Sequence, residues 1–171
     1  MTYLQFHLVF ILPPLLALAL TSREQVRRIG PRALPALACV VLLALAYTTP
    51  WDSELIRRGV WGYGPERVIG TIGVIPIEEY LFFILQPLLT GLWLYRVLPP
   101  RDDDAPSAAP AVRWGGAALY AALALWGWML LRREEGTYLG MILAWAAPVL
   151  AAQWALIGGR IGAAPPPLAV A

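Results

Sequence analysis

Apolar residues fall in five long runs, at about residues 3–20, 33–49, 69–97, 113–131 and 137–157, with most charges in the gaps between them. Each run approaches the roughly 20 residues a helix needs to cross hydrocarbon. The pattern predicts an all-α integral membrane protein with about five transmembrane helices. The third run is too long for one straight crossing, and Gly70, Gly73 and Pro76 interrupt its first part. An interfacial or re-entrant stretch is expected over 68–77, then a crossing helix from Glu78 to Leu98, because broken backbone at depth is tolerated only against protein or water. Pro13, Pro14 and Pro148 lie inside the first and last runs and predict kinks.

Composition strengthens this reading. Of 171 residues 59% are hydrophobic and 14% charged, more apolar than a soluble core of this length requires. The 13 basic residues are all Arg and face 11 acids, a net charge of +2 that offers nucleic acid no electrostatic footing. The connection carrying Arg23, Arg27, Arg28 and Arg32 against Glu24 is the best cytoplasmic loop by the positive-inside rule, which puts the N-terminus outside a bacterial-type cytoplasmic membrane. The opening residues lack a basic stretch and a small-residue cleavage site, so the first run is expected to stay as an anchor. Cys39 reads as a packing residue, with no disulfide and no cysteine metal spacing. His7 lacks a second ligand at helical spacing and reads as a satisfied interior residue.

An internal echo organises the chain. Thr2-Tyr3-Leu4, Leu8 and Pro13 recur 135 positions later as Thr137-Tyr138-Leu139, Leu143 and Pro148. The expected arrangement is a three-helix unit over 1–98, an acidic Pro/Ala linker over 99–112, a bridging helix and the start of a truncated parallel repeat over 113–160, and a Pro/Ala-rich tail over 161–171. The linker run Asp102-Asp103-Asp104 lacks the spacing and the second cluster of a magnesium-binding pair, so no metal is expected.

The chemistry concentrates at Ile75-Pro76-Ile77-Glu78-Glu79-Tyr80-Leu81-Phe82-Phe83-Ile84-Leu85-Gln86. A carboxylate at membrane depth costs roughly 2.5–3.5 kcal/mol on insertion scales, and such groups commonly mark function. On a helix Glu79, Phe83, Gln86 and Thr90 share one face. Burial disfavours a charged carboxyl, so this acid would hold a proton for general acid work on an apolar substrate. Upstream lie Thr49-Pro50-Trp51-Asp52, Gly59-Val60-Trp61-Gly62-Tyr63 and Glu66-Arg67. Each ring taken alone could be an ordinary aromatic-belt residue.

Together, the Pro-Trp-Asp turn, the Trp-x-Tyr and the Pro-x-Glu-Glu-x-x-Phe-Phe resemble the small integral-membrane lycopene cyclases, found as paired bacterial subunits and as a domain of fungal bifunctional enzymes. The likeness extends to Tyr3-Leu4 with Pro13, and to Gly136-Thr137-Tyr138-Leu139-Gly140 through Trp145, Pro148, Gln153 and Trp154. It implies carotenoid biosynthesis: a non-redox, acid-catalysed cyclisation of the linear end of lycopene to a β-ionone ring. Glu79 is the preferred proton donor, with Glu78 or Asp52 accepting a proton or orienting the donor. Trp51, Trp61, Tyr63, Tyr80, Phe82 and Phe83 would face the cation, beside Gln86. No Gly-x-Gly-x-x-Gly is present, so neither a dinucleotide nor any other cofactor is expected. Family members carry two copies of the three-helix unit. Here the second acidic motif is missing, so a second cyclase subunit or self-association is an expected partner. The alternative is a non-catalytic membrane scaffold subunit of a carotenoid-binding or cyclase complex.

Overall fold

A computed structural model describes residues 1–64, 66–97 and 108–161. The chain divides into two compact units, Met1–Pro100 and Arg101–Ala171. Among the described residues, four helices are long and apolar enough to cross a membrane: Tyr3–Thr21, Ala33–Arg57, Ile77–Val97 and Thr137–Gly159. A further 21-residue helix, Pro110–Leu130, occupies the expected fourth run but is not among them. Arg113, Tyr120, three tryptophans and three glycines dilute its hydropathy. The run Asp102-Asp103-Asp104, most of the linker and the tail from residue 162 lie outside the described residues.

The first unit begins with α1, Tyr3–Thr21. A capping box starts it: Gln5 N–H donates to Thr2 Oγ1 at 3.2 Å, and Thr2 N–H to Gln5 Oε1 at 2.9 Å. Within α1, His7–Ile11 forms a π-turn closed by the Leu12 N–H on the His7 carbonyl. Pro13 and Pro14 explain it. They bring no N–H, their rings press on the Val9 and Phe10 carbonyls, and the widened turn absorbs the mismatch. The connection that follows is not a plain loop, because Arg23–Ile29 forms a short helix, α2, ended by Gly30 at φ +92°.

Helix α3 covers Ala33–Arg57. It was expected to stop at residue 49, with Pro-Trp-Asp as a turn, yet it runs through Pro50 for two further turns. The amphipathic spacing beyond Pro50 accounts for this: Asp52 and Leu55 turn inward and are buried, while Glu54 bonds Arg58 at 2.7 Å on the exposed side. Cys39 is exposed, on an outer surface it shares with Val40, Leu42 and Leu43, and is not a packing residue.

The interrupted stretch over 68–77 holds a minimal antiparallel hairpin, β1 Thr71–Ile72 and β2 Ile75–Pro76, with Thr71 opposite Pro76. Gly73, at φ +66°, takes the first turn position, which requires a left-handed residue there. Helix α4, Ile77–Val97, follows directly. Both α1 and α3 pack against α4. Close approach is made possible by Gly91, where an added Cβ would lie 2.4 Å from Leu37, and the Tyr95 hydroxyl donates to the Ala33 carbonyl at 2.8 Å.

In the second unit α5, Pro110–Leu130, and α6, Thr137–Ile161, form a helical hairpin joined by a 3₁₀ turn at Glu134–Gly136. Glycines set their separation. A Cβ on Gly127 would fall 2.8 Å from the Ala144 nitrogen, and one on Gly140 would fall 2.9 Å from the Gly127 carbonyl. Arg113 donates to the Ala155 carbonyl and lies 4.9 Å from the Trp114 ring.

Candidate active site

The carboxyls singled out from sequence come together in the first unit. Asp52 is 3% exposed, Glu78 0% and Glu79 7%, although two of the three stand side by side at the start of α4. Each is held differently. Asp52 Oδ1 accepts from Trp61 Nε1 at 3.0 Å, so the Trp51-Asp52 and Trp61-x-Tyr63 motifs meet through a hydrogen bond across the end of α3. Glu78 Oε1 accepts the Ile69 N–H at 2.8 Å, and the Ile77 N–H bonds the Gly70 carbonyl at 3.0 Å. Glu78 thereby ties the segment before the hairpin to the first turn of α4.

Glu79 has a different neighbour, Tyr3. The phenol of Tyr3 and the carboxyl of Glu79 lie within electrostatic reach of each other. The Asp52 and Glu78 carboxyls lie within electrostatic reach of the same hydroxyl. The ion pairs among the described residues are all exposed, joining Glu24 to Arg28 and Glu54 to Arg57 and Arg58, so none neutralises the buried acids. Asp52 Oδ2 and Glu78 Oε2 have no hydrogen-bond partner among the described residues.

Aromatic rings wall this group. Tyr63 stacks on Tyr3 with centroids 5.5 Å apart and planes 10° apart. His7 sits 4.7 Å from Tyr3 and meets Phe82 edge-on at 6.1 Å. Phe83 is buried under Tyr80, also edge-on at 6.1 Å. The Tyr80 hydroxyl donates to the Ile72 carbonyl at 3.4 Å, toward the hairpin. Trp51 is half-buried, about 100° round α3 from Asp52. Gln86 lies away from the carboxyls, two turns further along α4, where it bonds the exposed Thr90. The shared face predicted for Glu79, Phe83, Gln86 and Thr90 is therefore buried only at its first two positions.

A groove of about 470 Å³ opens beside the group, its walls including Ile56, Trp61, Tyr63, Val74 and Pro76. Trp61 and Tyr63 line it and also contact Asp52 and Tyr3. Among the described residues, no group of three His, Cys, Asp or Glu is set to hold a metal ion.

Two residues absent from the sequence-derived site belong to this cluster. Tyr3 was visible in the Thr-Tyr-Leu echo and in the family likeness but was given no role, because a phenol at a helix start carries no local sign that it will meet an acid some 75 residues away. His7, read as a satisfied interior residue, is only half satisfied. Its Nδ1 bonds the Tyr3 carbonyl at 2.9 Å, while Nε2 has no partner among the described residues.

No family model and no solved structure matches the chain. Curated proteins do. A lycopene beta-cyclase of Halobacterium salinarum is 46% identical over 157 residues, covering 91% of this chain and 65% of that protein. Bifunctional lycopene cyclase/phytoene synthases of Leptosphaeria maculans and Neurospora crassa are 36% and 33% identical, covering 90% and 91% of this chain but 28% and 27% of theirs. The chain thus spans about two thirds of the Halobacterium protein and less than a third of the fungal ones. The alignments take in nearly the whole chain, including both the carboxyl cluster and the second helical unit, so the chain is similar to these lycopene cyclases through both of its units.

Proposed function

We propose that this chain takes part in carotenoid biosynthesis by cyclising the linear end of lycopene to a β-ionone ring. The observation that carries the reading is the Glu79 carboxyl, buried near a phenol, without a cation among the described residues, and walled by aromatic rings. The names of the relatives support it.

A carboxyl buried without a counter-ion is least costly as the neutral acid, which has a proton to give. The apolar end of the substrate would enter along the groove beside Trp61 and Tyr63. Glu79 adds its proton to the terminal double bond, the neighbouring internal double bond attacks the resulting cation and closes the ring, and a proton is lost to restore a double bond. One proton enters and one leaves, so no redox partner is needed. Asp52 is the proposed acceptor, and Glu78 holds the segment before the hairpin. The rings of Tyr3, Tyr63, Phe82 and Phe83 exclude water and face the cation, each worth roughly 0.5–2 kcal/mol.

The finer architecture belongs to the same proposal. Five helices cross a bacterial-type cytoplasmic membrane with the N-terminus outside, and α6 begins a parallel repeat. A second acidic motif comes from another cyclase subunit or another copy of this chain. Expression in lycopene-accumulating cells tests the proposal, with the chain alone and with a separately encoded second cyclase subunit. Conversion of lycopene to a cyclised carotene, lost in Glu79→Gln, is the expected result. Unchanged lycopene under both conditions would sink the reading.

A further inference from the structure

A cleft of about 410 Å³ belongs wholly to the second unit. Pro110, Arg113 and Trp114 of α5 form one side of it, and Leu156, Ile157 and Gly159 of α6 the other. In the sequence this is where the apolar run of α5 begins and that of α6 ends. In a bilayer, therefore, the cleft falls at the border between headgroups and acyl chains.

Arg113 is the one charged residue among the described residues of these walls. Its Nε and Nη2 both donate to the Ala155 carbonyl, which fixes the plane of the guanidinium against α6. The Trp114 ring lies 4.9 Å from its central carbon. Among the described residues Arg113 forms no ion pair, so a carbonyl and a ring face answer it without neutralising its charge. A guanidinium carries more N–H donors than one carbonyl uses, and they lie in a flat fork that matches the oxygens of a phosphate.

The rest of the cleft is suited to the rest of a lipid. Leu156 is 77% exposed and Ile157 50%, an open apolar wall beside the cation. Trp114, also largely exposed, is a residue type that settles at headgroup level. No carboxyl stands among the described walls to receive the ammonium of a zwitterionic lipid, so charge favours a headgroup that is anionic overall.

We propose that the cleft between α5 and α6 binds one anionic phospholipid, with its phosphate on Arg113 and the start of its acyl chain along Leu156 and Ile157. Basic clefts between membrane helices are a recurrent way of holding acidic headgroups. The inference needs these two helices to lie in a membrane and is independent of the cyclase reading.

For the test, the full chain is reconstituted in phosphatidylcholine vesicles with increasing fractions of bromine-labelled phosphatidylglycerol. Quenching of tryptophan fluorescence is compared with that by bromine-labelled phosphatidylcholine. Half-maximal quenching should need about fivefold less of the anionic lipid, the preference expected from one Arg near the surface. The excess should vanish in Trp114→Phe, which removes the reporter, and in Arg113→Gln, which removes the cation. Arg113 also joins the two helices, so a second variant, Leu156→Glu, leaves its bonds to Ala155 in place and sets an acid on the exposed wall. It too should abolish the preference, whereas Arg23→Gln, at an exposed position of the first unit, should keep it. Equal quenching by the two lipids in the wild type overturns the proposal. So does a preference that survives Trp114→Phe or Leu156→Glu, or one that Arg23→Gln removes. Release of the labelled lipid by millimolar glycerol 1-phosphate would make this a site for a soluble phosphate and overturn the lipid assignment. Lycopene conversion in the same vesicles reports separately on the cyclase reading.

Discussion

Helices α1 and α6 open on the same tripeptide, Thr2-Tyr3-Leu4 and Thr137-Tyr138-Leu139, each followed in register by a proline, Pro13 or Pro148. Their tyrosines nevertheless meet opposite surroundings. Tyr3 lies among carboxyls and rings, whereas Tyr138 is 57% exposed. Three substitutions in the echo account for much of the difference. Gln5, which completes the capping box of α1, corresponds to Gly140, where a side chain would meet the Gly127 carbonyl. His7, which bonds the Tyr3 carbonyl, corresponds to Ile142, which cannot. Pro14 corresponds to Val149. The doubled proline goes with a π-turn in α1, while the single Pro148 sits within an α-helix that runs without a π-turn from Thr137 to Ile161. A repeated opening therefore specifies a helix start, and the unit around it decides whether the start becomes part of a site. Among the described residues the buried acids all belong to the first unit.

Breaking this contrast should affect the first unit most. Glu79→Gln removes the acid, with cyclisation in lycopene-accumulating cells expected to drop about 10²- to 10⁴-fold, the usual contribution of a general acid. Trp61→Phe deletes the donor to Asp52 Oδ1 and leaves a buried carboxyl with neither oxygen bonded by a described residue. That omission costs about 1–3 kcal/mol, seen as a lower thermal midpoint in detergent and as roughly tenfold slower turnover. In the second unit the vulnerable feature is packing. Gly127→Leu drives a side chain into the backbone of α6 and should destabilise that hairpin by about 1–3 kcal/mol, measured by thermal unfolding of the membrane-extracted protein. The smallest effect is expected at the exposed counterpart of Tyr3. Tyr138→Phe should leave turnover within about twofold of wild type and stability within about 0.5 kcal/mol. A large loss there would mean that the second tyrosine also serves a site.

Helix existence was legible because it rests on local quantities: run length, average hydropathy and proline spacing. The runs near 3–20, 113–131 and 137–157 correspond to helices Tyr3–Thr21, Pro110–Leu130 and Thr137–Ile161. Ends were less legible. Pro50 marked a break by the usual rule, but Leu55 and Asp52 beyond it bury one side of the continued helix, and that burial outweighs one missing N–H. Arg23–Ile29 was missed because a short basic connection satisfies the positive-inside rule equally well as loop or as helix. Cys39 was misplaced because nearly every position of α3 before Thr48 is apolar, and in a membrane helix apolarity does not distinguish lipid from protein.

The same division runs through the site. Residue chemistry marked Asp52, Glu78 and Glu79, because a carboxyl in an apolar run stands out without any fold. Folding gave them unlike surroundings: an indole hydrogen bond for Asp52, a backbone amide for Glu78, and for Glu79 a buried place near the Tyr3 phenol. It also moved Gln86 out of the cluster and brought Tyr3 and His7 in. Periodicity along one helix shows which residues share a face, but which neighbour covers each turn of that face depends on how α1 and α3 pack against α4. Such contacts join residues far apart in the chain, and a one-dimensional pattern carries no distance between them.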